Sequence, residues 1–288
     1  MKQYVQIGRT GFSLSLPFAY RWAEEDSHFF QNNDPLKQVQ VEIVEEPLCP
    51  PERQPDFISG QMKIWQEPDS DIRLYKASFY PGQPDYAMSC RRGDHVRISL
   101  YGSVDLLMNP NLKLWNLIHL ENYLLETDAL VLHCCYSMYR GKAILFSAPS
   151  GTGKTTQANI WKRVYGSRII NGDKCILQRR NGKWYACGFP LHGSAPECEN
   201  QSYPIDTIAI VRQAKENRVE KIAPVQKVGL LYTECTVNSW DQSFVDRALN
   251  LLMDLARNVQ VVTLHCNMED DAAHTLHRAI FGGNHGTV

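Results

Sequence analysis

No stretch of the 288-residue chain approaches the about 18 consecutive apolar residues of a membrane-spanning helix. An excess of charge of one sign is missing too: 30 Lys and Arg face 31 Asp and Glu, a formal net charge of −1. That balance excludes a nucleic-acid binder that relies on a basic surface, and a polybasic membrane binder. The N-terminal run MKQYVQIGRTGFSLSL alternates polar and apolar residues and lacks the continuous apolar segment of a secretory signal, so a soluble cytoplasmic protein is expected. Nine cysteines are scattered at 49, 90, 134, 135, 175, 187, 198, 235 and 266, with no Cys-x-x-Cys pair. The odd count and irregular spacing argue against a disulfide framework or paired zinc ligands, and leave buried or idle thiols. Neither a Gly-x-Ser-x-Gly nucleophile elbow nor a His-Glu-x-x-His metal signature occurs.

What is present is ordinary globular material: 43% hydrophobic and 21% charged residues, enough for a sizeable core. At roughly 150 residues per domain the length suits two domains. Residues 1–110 read as a β-rich portion, with strands at Gln3–Ile7, Phe12–Leu16, Val39–Val44, Ile58–Trp65, Ile72–Tyr80 and Val96–Leu100. Clusters such as Pro47–Pro55 and Pro81–Asp85 separate them. Asn111–Glu126 carries a crowded apolar pattern compatible with a packed helix, and opens a second portion, 111–288. There, Ala129–Met138 and Lys142–Ser147 are strands joined at Arg140-Gly141, a connection so short that they must run antiparallel. A second hairpin is expected at Cys175–Arg179 and Trp184–Phe189, turned by Asn181-Gly182. Ile205–Val211 and Val259–Leu264 follow as strands, Phe244–Arg257 and Asp270–Phe281 as helices, and Val225–Leu231 fits a short strand or a linker.

The informative stretch is FSAPSGTGKTTQANIW, Phe146–Trp161: an apolar strand, a glycine loop, Lys154-Thr155, then a helix that Gly166 can stop. Gly151 and Gly153 let backbone N–H groups turn inward around phosphate oxygens without Cβ obstruction. The helix N-terminus adds partial positive charge, Lys154 reaches terminal phosphates, and the Thr155 hydroxyl suits Mg²⁺. Ala148 stands where the usual pattern begins with Gly. Ser150, Gly151, Thr152, Gly153, Lys154, Thr155 and Thr156 are therefore the nucleotide-contact candidates of a P-loop. Such loops work with an acidic residue at the end of another strand, and Ser167–Ile170 leads into Asn171-Gly172-Asp173-Lys174. Asp173 is the second metal candidate beside Thr155. Two other groupings are weaker. His133-Cys134-Cys135 sits in a strand, where neighbours face opposite ways and do not converge on one ion. His274 and His277, near Asp270 and Asp271, read as a solvated helix face.

The run LHCCYSMYRGKAILFSAPSGTGKTTQANIW, followed by RIINGDKCIL, resembles the HPr kinase/phosphorylase C-terminal domain, within the superfamily that includes ATP-dependent phosphoenolpyruvate carboxykinases. The later runs CGFPLHGSAPE and PIDTIAIVRQAKENRVEKI look like compact kinase-like members found beside modified-peptide gene clusters. The resemblance covers roughly residues 129–222, and the P-loop is its specific part. It implies an α/β fold with a mixed, partly antiparallel sheet around the P-loop, behind the β-rich N-terminal portion. It also implies ATP- and Mg²⁺-dependent phosphoryl transfer to a hydroxyl of a peptide, protein or small molecule. Asp173 matches the second residue of the family's Asp-Asp pair, while Gly172 stands where many members carry a proposed base. His133 matches a strand histidine before the loop and becomes, with Asp173, the catalytic candidate. Pro190–Ser194 resembles a loop after the Asp strand, and Arg212, Asn217 and Arg218 lie where an arginine would serve phosphate charge. The other reading is a nucleotide-binding regulatory or accessory module with little transferase activity, which Gly172 favours.

Overall fold

Alternation of apolar and polar residues builds the first half of the chain. The computed structural model describes residues 1–17, 22–31, 33–60, 62–76, 85–101, 114–193 and 196–282. It divides into two compact units, Met1–Tyr123 and Leu124–Val288. In the first, β1 (Lys2–Ile7), β2 (Thr10–Ser15), β3 (Lys37–Glu45), β4 (Phe57–Ser59), β5 (Met62–Glu67), β6 (Ser70–Lys76), β7 (Asp85–Arg92) and β8 (His95–Leu100) form one sheet in the order β1-β2-β3-β8-β7-β6-β5-β4. β3 pairs parallel with both β2 and β8, and the remaining pairings are antiparallel. Val39, Val41 and Ile43 of β3 point inward while Gln38, Gln40 and Glu42 face out, the period-two pattern of a half-buried strand.

Two strand expectations change here. Ile58–Trp65 is not one strand: Gly60 takes φ 57° and reverses the chain between β4 and β5. β7 went unseen, because its sequence DYAMSCRR mixes Asp, Ser and Arg into the alternation. The last part of Ile72–Tyr80 and most of the Pro81–Asp85 cluster lie outside the described residues.

The expected helix Asn111–Glu126 is also different. Its first residues lie outside the described ones; Leu114–Asn116 is a 3₁₀ turn, and α1 spans only Leu120–Glu126. Between them His119 adopts φ 54°, a left-handed conformation that ends helical propagation. Tertiary hydrogen bonds hold it there. The fully buried ring lies 2.7 Å from Ser89 Oγ and 3.1 Å from Asp71 Oδ2, and Arg73 donates to Asp71, Glu121 and Asn122. Burial, with the Arg73 charge beside it, lowers the His119 pKa to about 4. The unfolded chain then binds more protons than the native one between about pH 4 and an unfolded value near about 6.5. Stability carried by neutral His119 is full above that upper value and is lost as pH falls toward the lower one. Thermal unfolding of His119→Gln is expected to show a shallower loss over this window than the native protein; equal slopes would refute it.

The second unit contains β9 (Ala129–Tyr139), β10 (Lys142–Ser147), α2 (Lys154–Tyr165), β11 (Arg168–Asn171), β12 (Lys174–Arg180), β13 (Lys183–Cys187), β14 (Ser202–Gln213), β15 (Arg218–Lys221), α3 (Pro224–Glu234), α4 (Gln242–Asn258), β16 (Gln260–Cys266) and α5 (Asp270–Phe281). The strand order is β10-β9-β12-β13-β14-β16-β15, with β11 on β9. β10 additionally pairs with β14, so β10, β9, β12, β13 and β14 form a closed circuit of pairings. β9–β10 and β12–β13 are the antiparallel hairpins expected, with positive φ at Arg140-Gly141 and Asn181-Gly182. β10, β14 and β16 run parallel. The result is a mixed α/β unit.

Cores form on both sides of this sheet. Cys134 and Tyr136 of β9 join the apolar face of α4, Phe244, Ala248, Leu251 and Leu255, while Cys135 and Tyr139 join Trp161 of α2 and Leu276 of α5. Adjacent His133, Cys134 and Cys135 thus diverge, as strand geometry requires. α2 ends at Gly166, φ 67°, whose N–H bonds to Lys162 O. Val225–Leu231 is neither strand nor linker. It belongs to α3, which starts with Pro224 in the first turn, where a missing N–H costs nothing. β15, four residues long, was also unseen. The histidine face of α5 is partly solvated, as expected: His274 is exposed, its Nδ1 2.8 Å from the Tyr165 hydroxyl, while half-buried His277 stacks on Tyr165 at 4.5 Å between centroids. Among the described residues no helix is long and apolar enough to cross a membrane.

Candidate functional site

β10 and β14 run side by side and in the same direction, with Ser147 opposite Ile210, so the chain leaves both strands at one edge of the sheet. In α/β folds this edge, beyond the carboxyl ends of parallel strands, is where ligands sit. Residues 148–153 leave β10 there. Thr152 N–H donates to Pro149 O at 3.3 Å, Gly151 takes φ 77° and Gly153 φ 109°, and α2 begins at Lys154. No Cβ clash decides these glycines; the left-handed backbone does.

The Lys154 side chain folds back under the loop. Only 7% of it is exposed, and Nζ donates to Ala148 O at 2.7 Å and Pro149 O at 3.3 Å. Burial lowers its pKa, and the carboxylates of Glu234 and Asp173 oppose that shift. The ammonium is therefore held at the loop with two carboxylates in its field.

Those carboxylates meet at one histidine. Lys174 of β12 pairs with His133 of β9, which brings Asp173 to the end of the pair. His133 Nε2 lies 3.5 Å from Asp173 Oδ1, and His133 Nδ1 lies 3.2 Å from Glu234 Oε2. The histidine and Asp173 are half-buried, and Glu234 more deeply so. Contact with His133, then the charges of Lys174 and Lys154, hold the Asp173 carboxyl below its usual pKa against the opposing effect of burial. The turn carrying Asp173 is pinned by Asn171. Its buried Oδ1 accepts from the N–H groups of Asp173 and Lys174, both at 2.9 Å, and its Nδ2 donates to Phe189 O and Leu191 O. Gly193 packs against Asp173; a Cβ at 193 would stand 3.3 Å from Asp173 Oδ1.

A cavity of about 550 Å³ opens beside the loop. Ser150, Gly151 and Thr152 line it, together with Arg212 and Gln213 of β14 and Thr233 and Glu234 of α3. Gln213 Nε2 donates to Thr152 O at 3.3 Å, tying strand end to loop. Thr155 and Thr156 lie half-buried in the first turn of α2 and do not line the cavity. Arg212 lines it, whereas Arg218 and Asn217 turn elsewhere, to His265 and Asp271 respectively. His192 is half-buried, its Nδ1 near Gly193 O, and Ser194 lies outside the described residues.

Sequence reasoning missed Glu234 and Asn171. Glu234 was hidden because its helix read as a strand or linker; Pro224 followed by Val228, Leu230 and Leu231 was the available helix signal. Asn171 reads in the sequence only as turn material. Nothing in a single sequence tells an Asn that pins a turn from one that decorates it.

No family model matches the chain, and no curated protein matches it in sequence. Among solved structures the chain has a distant likeness to the Hpr(Ser) kinase/phosphatase from Coxiella burnetii, with 10% identity and a TM-score of 0.24, over 32% of this chain and 72% of that one. No residue correspondence follows at that level of overlap.

Proposed function

We propose that the protein transfers the terminal phosphoryl group of ATP, with Mg²⁺, to a hydroxyl of a peptide, protein or small molecule. The observation that carries this reading is the loop: two left-handed glycines, a buried lysine folded beneath them, and a helix N-terminus, beside a cavity that Ser150, Gly151 and Thr152 line. That arrangement favours bound anions, since backbone N–H groups, a helix dipole and an ammonium act together.

In this reading the loop and Lys154 orient the phosphates, and Arg212 at the cavity wall neutralises charge that develops on them. His133 and Asp173 approach the acceptor hydroxyl, where either takes its proton. Thr155 and Asp173 are the residues that would hold Mg²⁺; their donor atoms are oxygen, the type this cation prefers. Bound there, Mg²⁺ would neutralise charge on the phosphate oxygens. Mg²⁺ keeps several waters and phosphate ligands, so a cage of protein side chains is not required.

Gly172 supplies no carboxylate, so water is a poorly activated competitor and the acceptor must complete the site. Slow ATP consumption by the protein alone, and faster consumption with the true acceptor, is the expected result; mass spectrometry of candidate acceptors after incubation with ATP identifies the product. Asp173→Asn is expected to weaken the Mg²⁺-dependent part of turnover, read as a rightward shift of the Mg²⁺ titration. An unchanged titration would assign Asp173 to the turn. Gly172 favours one other reading, a nucleotide-binding accessory module, to which ATP binding without phosphoryl transfer to any acceptor would point.

A further inference from the structure

The carboxylate that reaches His133 from α3 belongs to no motif. Glu234 stands 101 positions away in sequence, closes one wall of the cavity, and is only 10% exposed at its side chain. A carboxylate that deep needs a partner, and the nearest hydrogen-bonding group is His133 Nδ1 at 3.2 Å. The other ring nitrogen, Nε2, faces Asp173 at 3.5 Å, a looser contact.

We propose that Glu234 is a positioning residue: it accepts the Nδ1–H of His133, fixes the ring in that tautomer and orientation, and so presents Nε2 to the reacting hydroxyl. This rests on the phosphoryl-transfer reading for its purpose, though not for its geometry. An ionised carboxylate only accepts, so the hydrogen shared with Glu234 lies on Nδ1, while the 3.5 Å contact of Nε2 with Asp173 is too long to commit that nitrogen. Which ring nitrogen is protonated is set by the bond the other end makes, and here Nδ1 is the committed end. The neighbourhood reinforces the placement. Ser147 Oγ donates to the His133 carbonyl at 2.8 Å, and Cys134 N–H donates to Asp173 O at 3.0 Å. The backbone of β9 is thereby held on both sides of the ring, which leaves the side-chain torsions as the freedom that Glu234 removes. The Glu234 carboxylate also lies in the field of Lys154, so the loop lysine and the histidine share one counter-charge.

The test is nitrogen-15 NMR of the imidazoles in the full chain, with the His133 signals assigned by their loss in His133→Ala. A hydrogen on Nδ1 is expected in the native protein and in Glu234→Gln, whose side-chain oxygen still accepts. In Glu234→Ala the Nδ1–H signal is expected to disappear in favour of mobile or Nε2-protonated imidazole. In parallel, acceptor-stimulated kcat should fall by about 10–100-fold in Glu234→Ala, with KM for ATP little changed and substantial rescue in Glu234→Gln. A native His133 with bare Nδ1, or one whose tautomer is the same in Glu234→Ala, overturns the proposal without reference to activity. Should Glu234→Ala not fold, the native spectrum and Glu234→Gln decide it. An Nδ1–H that depends on Glu234 in a protein that transfers no phosphoryl group would overturn the phosphoryl-transfer reading alone.

Discussion

Lys154→Ala is expected to lower the affinity for Mg²⁺-ATP by about 100-fold or more while the protein stays folded. Hydrogen bonds between a charged donor and a charged acceptor are worth about 1.5–3 kcal/mol each, and about 2.7 kcal/mol corresponds to two decades of affinity. Lys154 is buried and already aimed by the loop, so little side-chain entropy remains to be lost when phosphate arrives. In the free protein its ammonium serves the carbonyls of Ala148 and Pro149. Water replaces it readily at Pro149, which is exposed, so the cost to folding is smaller than the cost to binding. Calorimetric titration of the variant with Mg²⁺-ATP, alongside its thermal unfolding, separates the two. Equal affinity in a folded variant would remove the basis for reading residues 148–155 as a phosphate site.

The largest loss of stability in this unit is expected from Trp161→Ala, about 3–5 kcal/mol. Trp161 is fully buried in α2 and meets Tyr165, Tyr139 and Phe146 at centroid distances of 5.1, 5.6 and 6.1 Å. Removing the indole leaves a cavity between α2 and the sheet that neighbouring rings cannot fill without shifting. Among the described residues its Nε1–H has no hydrogen-bond partner. Trp161→Phe therefore discards an uncompensated polar group while keeping most of the ring, and is expected to cost far less than the alanine variant. Urea unfolding measures both, and near-equal losses would mean that the indole's volume is not what holds α2. Because α2 starts at Lys154, the alanine variant also loosens the loop, and nucleotide affinity should fall with stability.

The features legible in the sequence are those in which a few neighbouring residues decide the outcome. Arg140-Gly141 and Asn181-Gly182 turn their hairpins because the backbone there favours positive φ whatever surrounds it. The glycine loop and the start of α2 follow from Gly151, Gly153 and the strand before them, and Gly166 ends the helix by the same local rule. Asp173 was within reach because it closely follows the strand that comes after the loop's helix, and His133 was named only through the family resemblance. Tertiary structure decided the rest. His119 leaves helical geometry because hydrogen bonds to Asp71 and Ser89, tens of residues away, outweigh the helix propensity around it. Val225–Leu231 is helical although its short apolar run fits a strand equally well, and burial of Leu231 against the sheet settles the matter. The pairing of β10 with β14 closes the circuit of strands and brings Arg212 to the loop, and no periodicity records which strand a given strand will choose. Glu234 reaches His133 only because α3 returns across that closed sheet. A carboxylate's role depends on what it faces once the chain is folded, whereas a glycine's depends on its own backbone, and this divides what the sequence alone determined from what the fold had to supply.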